Sequence, residues 1–286
     1  MITEKSDIKN WWADSPMTYG LTHGETNYED ASIEFGSKDF FAAADAKFFE
    51  WNAPLHGEKP FNKIFPYEKY KGKKVLEIGC GMGGMAMQWA KAGALLTAVD
   101  LNPTSITQTK RRFELHNLEG NVFEADGNKL PFEDGEFDYV YSWGVLHHSP
   151  DLKRSLDEMM RVLKPGGEFG LMLYRRKSFL QKYMIDYLEG FLHYEQNFLG
   201  PLDLASRYTD GGDEEGNPYT WPVTEAETYS NLKPYATNIE FSILGTDLEA
   251  SLPRILPLIG RYVPTVIKKS WARRYGWSQW TSGTRK

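Results

Sequence analysis

The residues of this chain best suited to chemistry lie between positions 77 and 148. Glu77-Ile-Gly79-Cys80-Gly81-Met-Gly83-Gly84 puts an acid just ahead of a run of glycines, at the end of the apolar stretch that starts at Val75. Such a run reads as a strand breaking into a tight turn that opens a helix, where backbone can approach a ligand closely or simply pack helix on strand. Leu95-Leu-Thr-Ala-Val-Asp100 is a second short apolar strand, again ending in an acid. A nucleoside site in an α/β sheet needs a carboxylate roughly 20 residues beyond the glycines to accept from ribose hydroxyls, so Asp100 is the expected ribose ligand. Its alternative is to cap the helix that starts near Pro103, a role open to Asn102 or Thr104. Trp143, His147 and His148 follow a further apolar strand. Ligands of open α/β sheets bind beyond the carboxyl ends of the strands, so either histidine can serve there as a general base, with His148 preferred. Adjacent side chains point apart, which leaves at least one of the two structural. Trp143 either bounds the pocket or fills the core.

The spacing E-x-G-x-G-x-G resembles the first motif of the class I S-adenosylmethionine (SAM) dependent methyltransferases. Trp143-Gly-Val-Leu-His-His-Ser-Pro-Asp151 and Arg161-Val-Leu-Lys-Pro-Gly-Gly167 resemble the type 11 branch, the ubiquinone and menaquinone C-methylase-like enzymes; the second reads as the basic end of a helix closed by Pro165 and two glycines before the next strand. The resemblance implies an α/β, Rossmann-like fold with a seven-stranded, mostly parallel sheet flanked by helices. It also implies SAM as cofactor, S-adenosylhomocysteine as product, and no metal. The residues it assigns to the cofactor are Glu77, Gly79, Cys80, Gly81, Gly83, Asp100, Leu101, Asp126, Gly127, Ser142 and Trp143; Asp126 would accept from the adenine amino group and Gly127 offer its backbone. A sulfonium is already an activated electrophile, so a methyltransferase has mainly to align the acceptor, exclude water and, where required, take a proton. No D/N-P-P-Y follows the fourth strand, nor paired glutamates for a guanidinium, nor acidic ligands for magnesium. A small organic acceptor remains, methylated by direct displacement, with carbon or oxygen slightly favoured. The rival readings are SAM-dependent carboxyl or aminopropyl transfer, and SAM binding without catalysis.

Length and composition fit one globular enzyme: 286 residues leave about a hundred beyond a core of this class. Four parts are expected. Residues 1–70 form an aromatic-rich N-terminal helical cap over the cofactor mouth, 71–175 the SAM-binding core, 176–238 an inserted lid, and 239–286 the end of the sheet with a basic helical excursion. The one cysteine, Cys80, rules out an intramolecular disulfide. The polar, acidic start and the lack of a long apolar run point to the cytoplasm. An acidic chain without a basic stripe through its core argues against nucleic acid. Residues 250–286 differ from the rest, with eight basic side chains and no acid. That asymmetry suits packing on the protein's own acidic face, an anionic acceptor, or a membrane surface. Tyr19, Tyr174, Arg254 and Arg261 are the expected acceptor contacts.

Overall fold

The computed structural model describes residues 5–14, 33–210, 216–245, 252 and 258–286. Its centre is a seven-stranded sheet in the order β3-β2-β1-β4-β5-β7-β6. The strands are β1 (Lys74–Ile78), β2 (Leu95–Asp100), β3 (Asn121–Glu124), β4 (Phe137–Trp143), β5 (Leu163–Tyr174), β6 (Ala236–Leu244) and β7 (Ser278–Arg285). β1 to β5 pair in parallel, and β7 runs antiparallel to both β5 and β6. The expected seven-stranded, mostly parallel sheet is thus present. The order reverses between β1 and β4, so the loops after these two strands diverge there and open a crevice at their carboxyl ends.

Apolar strands buried on both sides dictate a helical layer on each face. Val75 and Tyr141 face Trp89 and Met85 of α3 (Gly84–Lys91), whereas Leu76, Val140 and Leu171 face Leu156 and Met159 of α5 (Leu152–Val162). α4 (Pro103–Leu115) follows β2. Before the sheet come α1 (Lys5–Asp14) and α2 (Lys38–Trp51); beyond β5 come a wide-turned helix at Leu180–Leu192, α6 (Pro201–Arg207), α7 (Glu225–Leu232) and α8 (Thr265–Tyr275). No helix among the described residues is long and apolar enough to cross a membrane.

Two placements differ from the sequence expectation. The segment Arg161–Gly167 is not a helix closed by proline and glycine: α5 stops at Val162, and β5 already starts at Leu163. Pro165 has no N–H for the ladder, and the β4–β5 register accordingly slips between Phe137 and Tyr139. The aromatics of residues 38–70 are also not confined to the mouth. Phe48, Phe61, Phe65, Tyr67 and Tyr70 enter the core beside Trp89 and Trp280, since burying such large side chains releases more apolar surface than a rim position would. α2 is tied down by Arg112, whose buried Nη1 donates to both oxygens of Asp45 at 2.8 and 2.9 Å.

Candidate active site

The turn between β1 and α3 uses its glycines for different ends. Gly79 has φ +82°, and a Cβ there would come within 2.3 Å of the Val145 side chain, so it lets the loop after β4 pack down. Gly81 has φ +51°, and nothing lies within 4 Å of where its Cβ would be. That opening borders Asp100, whose Oδ2 accepts from the Gly81 N–H at 2.8 Å and Oδ1 from the Asn102 N–H at 2.9 Å. Asn102 itself caps α4, its Oδ1 accepting from Thr104 and Ser105, so the cap alternative for Asp100 falls away. Burial pushes the Asp100 carboxyl up, against the pull of its N–H partners. Glu77 lies beneath, 2 % exposed, with Oε2 lacking any hydrogen-bond partner among the described residues. Burial raises its pKa well above the ordinary carboxylate value. The Tyr141 hydroxyl and the Ala86 N–H offset part of that rise, and the Oε2 atom left without a bond in the interior costs stability.

A second cluster forms where β4 and β5 end. His148 Nδ1 lies 2.8 Å from the Tyr219 carbonyl and 3.0 Å from Thr220 Oγ1. Because the Thr220 hydroxyl donates to Asn217 Oδ1 at 2.7 Å, Nδ1 carries a proton and donates to Tyr219. The opposite nitrogen, Nε2, is 3.2 Å from Asp210 Oδ2 without making an aligned hydrogen bond. Asp210 Oδ2 also accepts from the Tyr174 hydroxyl at 2.6 Å. His147 is fully buried, its ring 3.9 Å from that of Tyr174, and neither of its ring nitrogens has a hydrogen-bond partner among the described residues. Burial, then the neighbouring His148, hold its pKa well below the ordinary imidazole value, so the ring is neutral at pH 7.

Both clusters are covered by elements from outside the sheet. α1 crosses the ends of β2 and β3: Thr104 Oγ1 donates to Ala13 O at 3.1 Å, Asn102 Nδ2 donates to Trp12 O, and Lys9 pairs with Glu124. The Trp12 ring then meets His148 edge-on at 5.2 Å. Residues 216–223 are pinned from the other side, where the Trp221 N–H donates to His147 O and the Val223 N–H to Tyr174 O.

Residues 76–171 match the family model described as a methyltransferase domain. This stretch is a class I, SAM-dependent methyltransferase domain. Over 146 residues the chain is 33% identical to a sterol 24-C-methyltransferase of Gibberella zeae, covering 45% of this chain and 38% of that one. Over 118 residues it is 35% identical to the phthiotriol/phenolphthiotriol dimycocerosates methyltransferase of Mycobacterium leprae, covering 41% and 43%. The chain therefore spans less than half the length of these curated relatives. A solved SAM-dependent methyltransferase of Methanosarcina mazei superposes with a TM-score of 0.55 at 19% identity, over 78% of this chain and 98% of that one, which establishes the shared fold.

Within this methyltransferase domain the residues expected at the cofactor are not equivalent. Gly81 and Asp100 border the opening, Glu77 sits under it, and half-buried Leu101, Asp126 and Gly127 follow on the ends of β2 and β3. Gly83 packs on Thr109. Two of these side chains lie in the interior. Ser142 is fully buried and donates to Ile78 O at 2.8 Å, bracing β4 on β1. The Cys80 thiol turns into the interior beside Thr109, and burial raises its pKa, which suits it poorly as a nucleophile. Trp143, half-buried, packs against Phe61 and Trp280 at the edge of the core. Tyr174 joins the histidine cluster, whereas Tyr19, Arg254 and the Arg261 side chain lie outside the described residues. Asp210 and Asn217 had no signal as site residues beyond the acid-rich stretch of sequence from Thr209 to Pro218, and Trp12 none beyond its place in the aromatic-rich residues 1–70.

Proposed function

We propose that the protein is a SAM-dependent methyltransferase acting on a small, largely apolar organic acceptor, with carbon or oxygen as the atom methylated. The observation that carries the cofactor half is the opening at Gly81 beside Asp100. A Cβ-free, unobstructed backbone, a carboxylate with lone pairs beyond its two N–H partners and the unpartnered Glu77 Oε2 suit the hydroxyls and ammonium group of SAM. When bound, SAM supplies the activated methyl group. The protein's part is to hold the acceptor in line and keep water out. His147, neutral and buried, accepts a proton where the acceptor must lose one; Tyr174 stacks between His147 and Trp277, and Trp12 meets His148 edge-on. Sterol and phthiotriol methyltransferases among the relatives support an apolar acceptor. The test is transfer of radiolabelled methyl from SAM into organic-soluble metabolites. Labelled SAM that binds tightly but never yields a methylated product, whether because another part of it is transferred or nothing is, would overturn the reading.

Glu77 ties binding to stability. Its folded pKa is raised, so its contribution to stability is fully present below the ordinary carboxylate value and is lost as pH rises through the folded one. Glu77→Gln, the same shape without the charge, is expected to raise the neutral-pH Tm of the ligand-free protein by about 2–4 °C for each kcal/mol recovered. The same variant should bind SAM more weakly. Thermal melts at pH 5 and at pH 8, with and without SAM, check both signs; a Tm gain at pH 5 equal to that at pH 8 would refute the charge argument.

A further inference from the structure

The acid-free C-terminal tail was expected to rest on the protein's acidic body, to meet an anionic acceptor, or to touch a membrane, and the structure separates its members. Arg285 Nη1 donates to Arg161 O at 3.0 Å and Lys286 Nζ to Lys233 O at 2.7 Å, so the last two residues close the fold. Lys268, Lys269, Arg273 and Arg274 of α8 behave otherwise: among the described residues their side chains pair with no carboxylate. α8 packs through Ala272, which lies so near Gly245 that a Cβ on that glycine would come within 2.5 Å of it. Helical spacing then puts Val266, Ile267 and Arg274 on the opposite side, flanked by Arg273 and Trp271. Val266 is 78 % exposed and Leu258, in the turn before the helix, 84 % exposed; Ile259, Ile267 and Trp271 are exposed as well.

We infer that α8 and its preceding turn dock on the surface of an anionic lipid bilayer. Unneutralised basic side chains would suit any polyanion, but a nucleic-acid surface gives no return for exposing Val266, Ile267, Leu258 and Ile259. A bilayer interface takes both: apolar side chains enter the acyl boundary, Trp271 sits at headgroup level, and arginine and lysine meet lipid phosphates. α8 is about 16 Å long, too short to span and suited to lie in the plane of the interface. The inference stands independently of the methyl-transfer reading, since none of these residues belongs to the site.

The experiment is co-sedimentation of the full chain with phosphatidylcholine vesicles, with and without phosphatidylglycerol. Binding is expected to the anionic vesicles alone and to weaken as salt rises. The triple variant Lys269→Gln/Arg273→Gln/Arg274→Gln should lose about fivefold in partitioning per charge removed. Val266→Ser/Ile267→Ser, which leaves every charge in place, should also reduce binding. All these positions are exposed, so the Tm of each variant should equal that of the parent. Failure of the parent to sediment, equal binding to neutral vesicles, or binding unchanged in both variants would overturn the inference. So would retention of a labelled oligonucleotide in preference to the vesicles.

Discussion

Gly81→Ala should leave a folded protein that no longer binds S-adenosylhomocysteine, while Gly79→Ala should lose the fold itself. At Gly81 the added methyl meets nothing within 4 Å, and its stability cost is the left-handed backbone alone, about 1–2 kcal/mol for a residue with a Cβ. In the liganded protein that methyl would stand where the cofactor must approach. At Gly79 the same change drives a Cβ to 2.3 Å from Val145 and pushes the loop after β4 off the sheet. Asp100→Ala completes the test: it removes the acceptor of the Gly81 and Asn102 N–H groups together with the expected ribose contact, and should weaken binding by about 1.5–3 kcal/mol. Asp100→Asn retains one acceptor oxygen for two donors and should fall between. Calorimetric titration with S-adenosylhomocysteine, run beside thermal melts, reads both quantities. Unchanged affinity in folded Asp100→Ala or Gly81→Ala protein would remove the cofactor from this pocket.

The contrast between the two glycines shows what the chain discloses on its own. A turn that must pass close to a ligand writes its requirement into contiguous residues, so Glu77 to Gly84, Asp100 and the strand pattern through Tyr174 could be read without a structure. The C-terminal strands were readable too, as Ile239–Leu244 and the segment from Gly276 carry their own apolar signal. Which glycine opens a pocket and which admits Val145 depends on a loop from another strand, and no spacing encodes it. The aromatics of residues 38–70 have no period, so nothing local distinguishes Phe61 and Phe65 in the core from rings at a rim. Asp210 is the clearest case. It lies at the start of an acid-rich stretch of sequence, and what singles it out is contact with Tyr174 and His148, which the return of the chain along the end of β5 brings about.

Within this cluster, His147 and Asp210 are the residues whose loss should cost turnover most while leaving the cofactor pocket intact. Leaving two ring nitrogens of His147 unpartnered in the interior costs about 1–3 kcal/mol, so the side chain is a liability for the fold. His147→Phe removes the penalty, keeps a ring against Tyr174, and should melt no lower than the parent. Turnover should nonetheless fall by about 10²–10⁴, the usual share of a positioned proton acceptor, with S-adenosylhomocysteine affinity unchanged. The pH profile supplies the second readout. The neutral ring is the active form and burial depresses its pKa, so the acid limb of the rate should lie below 6.5, imidazole's ordinary value, and should vanish in His147→Phe. Asp210→Asn acts one step away, by weakening the acceptor of the Tyr174 hydroxyl and the charge beside His148 Nε2. It should lower turnover by about 10–100-fold and keep the acid limb, because His147 is still present. A folded His147→Phe protein with full turnover and an unaltered profile would exclude His147 as the proton acceptor and mean that methyl transfer here proceeds by alignment alone.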